Sequence, residues 1–287
     1  MRLPDIAAEP AVQESVARAL AEDRGAGDVT TLPLVPEKRM AAGTLLAREP
    51  CIVAGMPVAE LAFHGVDPKL AVEHLLEDGA RAEPDQPVLR VNGRAASILT
   101  AERTALNFMQ RMCGIATLAA QFVERARPFG VEILDTRKTA PTLRRFEKYA
   151  VLCGGGRNHR MGLYDMALVK DNHRKLWAGD GAGSLSEAVR RIRQRYPGIP
   201  VEVEVESEAE LDDVLAGGPD WVLLDNMAPE QLKHCVARCA GRCRLEASGG
   251  ITLENVAEVA ASGVDAISLG CLTHSARAID LSLELEL

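Results

Sequence analysis

From about residue 130 onward the chain repeats one rhythm, and that rhythm constrains its fold more than any other feature. Short apolar runs, EILD (132–135), MALVK (166–170), VEVEVE (201–206), WVLLD (221–225), RLEAS (244–248) and DAISL (265–269), alternate with helical stretches. Short strands separated by helix-length connections cannot pair as hairpins, so they predict βαβ units and a parallel sheet or barrel. Six such strands are too few to close an eight-stranded α/β barrel. The pattern predicts an open, incomplete α/β barrel, with a doubly wound sheet as the alternative.

The first hundred or so residues read differently, as a mixture of helices and strands. VQESVARALAED (12–23) and MPVAELAFHG (56–65) have helical spacing. AGTLLAR (42–48), CIVAG (51–55), LAVEHLL (70–76), PVLRVNG (87–93) and AASILT (95–100) read as strands, with turns at Asp78-Gly79 and Asn92-Gly93. A long helical stretch follows from Thr100, an expected N-cap, to about Arg127, and Gly114 is expected to divide it. A length of 287 residues suits two modest domains.

Composition narrows the function. No apolar run approaches the ~18 residues of a membrane span. The start, MRLPDIAAEP, has neither a basic n-region nor an apolar h-region, so no signal peptide is expected. Seven scattered cysteines, an odd number, predict no disulfide framework and a reducing, cytoplasmic setting. Cys235, Cys239 and Cys243, beside His234, could be a metal site or one stripe of a helix; the lack of a CxxC pair favours the stripe. A net charge of −8 and an aromatic content of 3% argue against nucleic-acid binding. Yet residues 137–175 hold ten Lys/Arg and three Asp/Glu, a local balance of 10 − 3 = +7. A basic patch concentrated on an acidic chain predicts a small anionic ligand.

The ends of the strands say where that ligand would sit. In α/β barrels the chemistry lies at the C-terminal ends. Here the six runs end on Asp135 followed by Arg137 and Lys138, on Lys170, on the glutamates of VEVEVE, on Asp225-Asn226, on Ser248-Gly249-Gly250 and at Gly270. Each strand delivers a polar group or a glycine to one rim, which predicts one shared site. SGG and Gly270 on the last two strands suit a phosphate held by backbone N–H groups, helped by a helix beginning near Thr252. Period-two spacing puts Glu202, Glu204 and Glu206 on one face. Glu204 with Asp225 could hold Mg²⁺, directly or through waters, or bind sugar hydroxyls. Arg137, Lys138, Arg157, His159, Arg160 and Lys170 supply cations, arginine suiting the planar fork of a carboxylate or phosphate. His159 reads equally as an acid–base group or a neutral donor. GGG (154–156) has neither GxGxxG spacing nor a following GKS/T, so no nucleotide loop is implied.

These residues resemble the quinolinate phosphoribosyltransferase family almost from end to end. The resemblance is carried by EDRGAGDVTT (22–31), ERTALNFMQRMCGIAT (102–117), DTRKTAPTLRRFEKYAVLCGGGRNHRMGLYDMALVKDNH (135–173), VEVEVES (201–207), LLDNM (223–227), EASGGI (246–251) and GVDAISLGCLTHS (263–275). It implies an N-terminal α/β sandwich domain over residues 1–115 beside an open α/β barrel of six to seven strands over 116–275, with a tail of 276–287 packed on the first domain. It also implies transfer of the phosphoribosyl group of 5-phosphoribosyl-1-pyrophosphate (PRPP) to quinolinate with decarboxylation and Mg²⁺. The products would be nicotinate mononucleotide, pyrophosphate and CO₂, on the de novo route to NAD. A homodimer with shared sites is implied, Arg103 coming from the partner chain. Arg137, His159 and Arg160 would join it around the two carboxylates. Lys138 and Lys170 would face the quinolinate and pyrophosphate region, Glu204 and Asp225 the ribose and Mg²⁺, and Ser248, Gly249, Gly250 and Gly270 the 5-phosphate. His274 is an expected rim residue; Asn172 and His173 have no assigned role. The rivals are a paralogue of the same scaffold with another substrate, a Schiff-base aldolase using Lys138 or Lys170, and a non-catalytic phosphosugar binder.

Overall fold

The computed structural model describes residues 3–179 and 183–286. The chain forms two compact units. One comprises the residues up to Ala120, Thr139–Gly155 and the segment from Cys271 onward; the other comprises Gln121–Lys138 and Gly156–Gly270. Both units are therefore discontinuous in sequence.

The first unit is built on a four-stranded antiparallel sheet in the order β12-β1-β5-β3, from β1 (Met40–Ala47), β3 (Ala71–His74), β5 (Pro87–Arg94) and β12 (Leu281–Glu286). β2 (Cys51–Ile52) and β4 (Arg81–Ala82) form a separate pair. The C-terminal strand β12 pairs with β1 from Ala42 opposite Glu286 to Ala47 opposite Leu281. Arg48 ties this edge down, reaching Ser282 Oγ at 2.8 Å, Asp85 at 2.6 Å and the Glu284 carboxylate. The helix Pro10–Arg24 buries Val12, Val16 and Leu20, four residues apart and so on one face. The helix Met56–Val66 buries Met56, Ala59 and Phe63 in the same way.

Three expectations for this unit need correction. AASILT is not a strand: Ala95 begins a continuous helix, Ala95–Ala126. Its buried residues Ala95, Ile98, Ala101, Ala105, Met109 and Met112 recur every three or four positions, the helical period. Thr100 therefore lies inside the helix and is not its N-cap. Nor does Gly114 divide the helix. A Cβ at Gly114 would sit 1.9 Å from the Arg277 carbonyl oxygen, so glycine is there to let that backbone approach.

The second unit carries six parallel strands: β6 (Glu132–Leu134), β7 (Ala167–Val169), β8 (Val201–Val205), β9 (Trp221–Asp225), β10 (Arg244–Ser248) and β11 (Ala266–Ser268). Their order is β6-β11-β10-β9-β8-β7. β6 and β7, consecutive in sequence, occupy opposite edges, so the barrel stays open. Arg157 adds a one-residue bridge on the free side of β6: its N–H donates to Ile133 O (2.8 Å) and its C=O accepts from Asp135 N–H (3.2 Å). All five residues of β8 are buried, because a parallel strand in such a sheet is covered on both faces. In the helix Pro229–Cys239, Cys235 and Cys239 are buried, whereas Cys243 lies past its end with Sγ 3.6 Å from Cys239 Sγ.

Candidate active site

Strand register sets the layers of the site. Ser248 pairs with Asp225 on one side and Ser268 on the other. One period deeper, Leu223 pairs with both Glu204 and Glu246. Side chains two apart share a face, so Asp225, Ser248 and Ser268 form an outer row and Glu204, Leu223 and Glu246 an inner one. A cavity of about 850 Å³ opens over these rows. Its polar lining includes Arg137, Lys138, His159, Arg160, Lys170 and Ser248, so six expected residues meet around one space. Thr136, His173, Glu246 and Ser268 line it too, though nothing singled them out beforehand. Glu246 was within reach of sequence reasoning, because it stands one strand period before Ser248.

The cations are not alike. Arg160 donates through Nη1 to Met166 O at 3.2 Å. Its pKa is lowered, first by burial and then by the charge of Arg137. Both guanidiniums line the one cavity, and a bound dianion there would favour their charged forms. Lys170 Nζ lies 2.8 Å from Glu204 Oε2, and Glu204 Oε1 accepts the Asp171 N–H at 3.3 Å. The Lys170 N–H in turn donates to His173 Nδ1 at 3.0 Å, which gives His173 a structural partner at the rim. Arg157 belongs elsewhere: its Nε lies 2.7 Å from Glu132 Oε1. His274, exposed in the first unit, contacts Ser275 Oγ at 2.6 Å. Arg103 is exposed on the long helix of that same unit.

The acids carry the deeper electrostatics. Asp225 has its pKa raised, mainly by burial and then by the charge of Glu204. Below them His159 Nε2 stands 3.0 Å from Glu202 Oε2 and 3.3 Å from Glu246 Oε2. Burial opposes protonation of this imidazole, but the two carboxylates win and push its pKa up to about 10. A second ring proton would have to occupy Nδ1, and that atom already accepts the Arg160 N–H at 2.7 Å. The ring proton that faces the carboxylates is thus on Nε2. Glu202 has its pKa raised to about 7, by burial and then by Glu246.

The SGG turn is a constrained loop. Gly249 and Gly250 have φ of 91° and 64°. A Cβ on Gly249 would lie 2.2 Å from Asn226 Oδ1, so this position admits only glycine. Gly249, Gly250, Ser248 and Asn226 line a second cavity of about 350 Å³. The following helix starts at Val256, not near Thr252, so an anion here would rest on the turn itself. The upstream GGG has another use: a Cβ on Gly154 would lie 2.4 Å from the Ala116 carbonyl oxygen.

An open α/β barrel with guanidiniums, amines, carboxylates and a glycine turn at one end defines a class: enzymes that handle phosphate- and carboxylate-bearing small molecules. Comparison with known proteins narrows it. The family model of the quinolinate phosphoribosyl transferase N-terminal domain matches residues 28–113, and that of its C-terminal domain matches residues 115–284. The chain belongs to the quinolinate phosphoribosyltransferase family. It is 44% identical over 282 residues to the nicotinate-nucleotide pyrophosphorylase (carboxylating) of Mycobacterium leprae (strain TN), covering 96% of this chain and 97% of that one. It is 43% identical to the chloroplastic enzyme of that name from Arabidopsis thaliana, over 93% of this chain and 81% of that one. The nicotinate-nucleotide pyrophosphorylase structure from Francisella tularensis superimposes with a TM-score of 0.90 at 35% identity, over 99% of this chain and 100% of that one.

Proposed function

We propose that the protein transfers the phosphoribosyl group of PRPP to quinolinate with loss of CO₂, giving nicotinate mononucleotide and pyrophosphate for NAD synthesis. The observation that carries this reading is that a guanidinium pair, Arg137 and Arg160, and an amine pair, Lys138 and Lys170, line one cavity. A dicarboxylate answers the first pair and a pyrophosphate the second. The quinolinate nitrogen attacks C1 of the ribose, the C1–O bond breaks, and pyrophosphate leaves with that electron pair. The 2-carboxylate then departs as CO₂, and the electron pair left on the ring carbon takes a proton from water. The sugar passes through an oxocarbenium-like state, as in glycoside cleavage. Arg137 and Arg160 orient the ring, Lys138 and Lys170 stabilise the departing charge, and Ser248, Gly249, Gly250 and Gly270 hold the 5-phosphate. Positioning and preorganised charge carry most of the rate.

Glu204 and Asp225 fit Mg²⁺: they are oxygen donors on adjacent strands, and burial, then the charge of Glu204, raises the pKa of Asp225. Mg²⁺ bound there would neutralise charge developing on pyrophosphate. The working unit is a homodimer in which Arg103 serves the partner's site, and the compartment is the cytoplasm. Among the described residues no helix is long and apolar enough to cross a membrane. The Schiff-base rival is disfavoured by the 2.8 Å Lys170–Glu204 contact, which sets that amine against a carboxylate where a Schiff-base lysine needs an apolar pocket. Formation of nicotinate mononucleotide from quinolinate and PRPP tests the proposal.

A further inference from the structure

At the cavity wall His159, Glu202 and Glu246 meet with side chains 7%, 0% and 1% exposed. Glu202 comes from β8 and Glu246 from β10, so the imidazole bridges two strands across β9. All four carboxylate oxygens are buried, and His159 Nε2 makes ion-pair contacts with one oxygen of each group. Two carboxylates buried side by side are costly unless a partner is held against them. The imidazole beside them is committed on every side. Nε2 faces the carboxylates, Nδ1 accepts the Arg160 N–H at 2.7 Å, and the His159 N–H donates to Asp135 Oδ1 at 2.9 Å. Asp135 is itself fully buried at the end of β6. The ring and the backbone N–H of His159 together tie β8, β10 and Asp135 to the backbone of Arg160, the next residue.

We infer that Glu202 and Glu246 are positioning residues: they hold the His159 ring with its proton on Nε2, so that Nδ1 fixes the Arg160 backbone and aims its guanidinium at the dicarboxylate. His159 then acts through Arg160 and not by touching substrate. A carboxylate can only accept, so an N–H must face Glu202 and Glu246, and this forces the opposite nitrogen to be the acceptor that Arg160 needs. The same logic, an acidic partner fixing the tautomer of a working histidine, operates behind metal-bound imidazoles. This inference rests on the reading that Arg160 grips quinolinate.

Histidine ¹⁵N NMR of the full-length wild-type enzyme tests the tautomer directly. A protonated Nε2 and a bare Nδ1 on His159 support the inference; a proton on Nδ1 overturns it. Kinetics test the consequence. Glu246→Leu should lower kcat/KM for quinolinate by roughly 10²-fold, the cost of an ~1 Å misplacement, through the KM for quinolinate, with the KM for PRPP within about two-fold of wild type. Glu246→Gln keeps an acceptor for Nε2–H and should recover most of that loss. Equal changes in both KM values, or no rescue by Gln, overturn the inference. If the Leu variant does not fold, the Gln variant with the NMR measurement still decides: a shifted tautomer with unchanged KM for quinolinate overturns it. One equivalent of a transition metal in the purified enzyme would also overturn it, by making the three side chains ligands. Arg160→Ala separates the two readings. If it leaves the KM for quinolinate unchanged, the Arg160 assignment fails, whatever the tautomer proves to be.

Discussion

Replacing Lys170 by alanine separates a catalytic charge from a structural one. Its Nζ lies 2.8 Å from Glu204 Oε2, and the lysine side chain is 46% exposed. An ion pair so open to solvent contributes only ~0–1 kcal/mol to folding. Glu204, 8% exposed, keeps the Asp171 N–H as a partner at 3.3 Å, so the loss does not orphan its carboxylate. Stability should therefore fall by less than about 1 kcal/mol, a melting shift of no more than ~2–4 °C. The rate should behave otherwise. A preorganised charge aimed at a leaving anion is worth at least ~10²-fold, or about 2.7 kcal/mol of barrier. The assay is steady-state kinetics with quinolinate and PRPP beside thermal unfolding of the same preparation. A kcat/KM within about ten-fold of wild type would refute the role. So would a loss of stability as large as the loss of transition-state binding, because the residue would then be holding the fold and not the pyrophosphate.

Other outcomes follow from the same geometry. Lys138→Ala should also lower kcat/KM by at least ~10²-fold in the same assay. Arg103→Ala and Lys170→Ala chains, each inactive alone, should regain activity when mixed as heterodimers; no recovery would count against a shared site. Gly114→Ala should destabilise the fold by ~1–3 kcal/mol or more in denaturant unfolding, since its Cβ would meet a backbone oxygen at 1.9 Å and neither can rotate away. Glu202 predicts a pH dependence. Its pKa is raised to about 7, so its favourable contribution is full below its ordinary value of ~4.3 and is lost as pH rises through 7. Glu202→Gln should therefore gain stability relative to wild type between pH ~4.3 and 7 in unfolding titrations, and the difference should level off above that range.

The barrel strands were legible because each is a short apolar run closed by polar residues, and all six runs proved to be strands of one sheet. AASILT misled because a short apolar run reads alike as strand or buried helix, and only the longer spacing from Ala95 to Met112 separates them. Gly114 misled for a different reason. A glycine inside a helix looks like a break until one knows that the Arg277 backbone, far along the chain, must pass there. The same limit governs the site. Strand ends announced Lys170, Asp225 and Ser248, because position along a strand fixes the rim. The partners of His159 come from strands far away in sequence, and only the register of β8, β9 and β10 brings them together. Arg157 looked like one more cation of the anion site, yet a contact with Glu132 on β6 takes it away.

Incubation of the purified protein with quinolinate, PRPP and Mg²⁺, followed by ³¹P NMR and chromatography, tests the central claim most directly. The account predicts nicotinate mononucleotide, pyrophosphate and CO₂ in equal amounts, with none formed when quinolinate is omitted. PRPP consumed without nicotinate mononucleotide, or no pyrophosphate released at all, would contradict it.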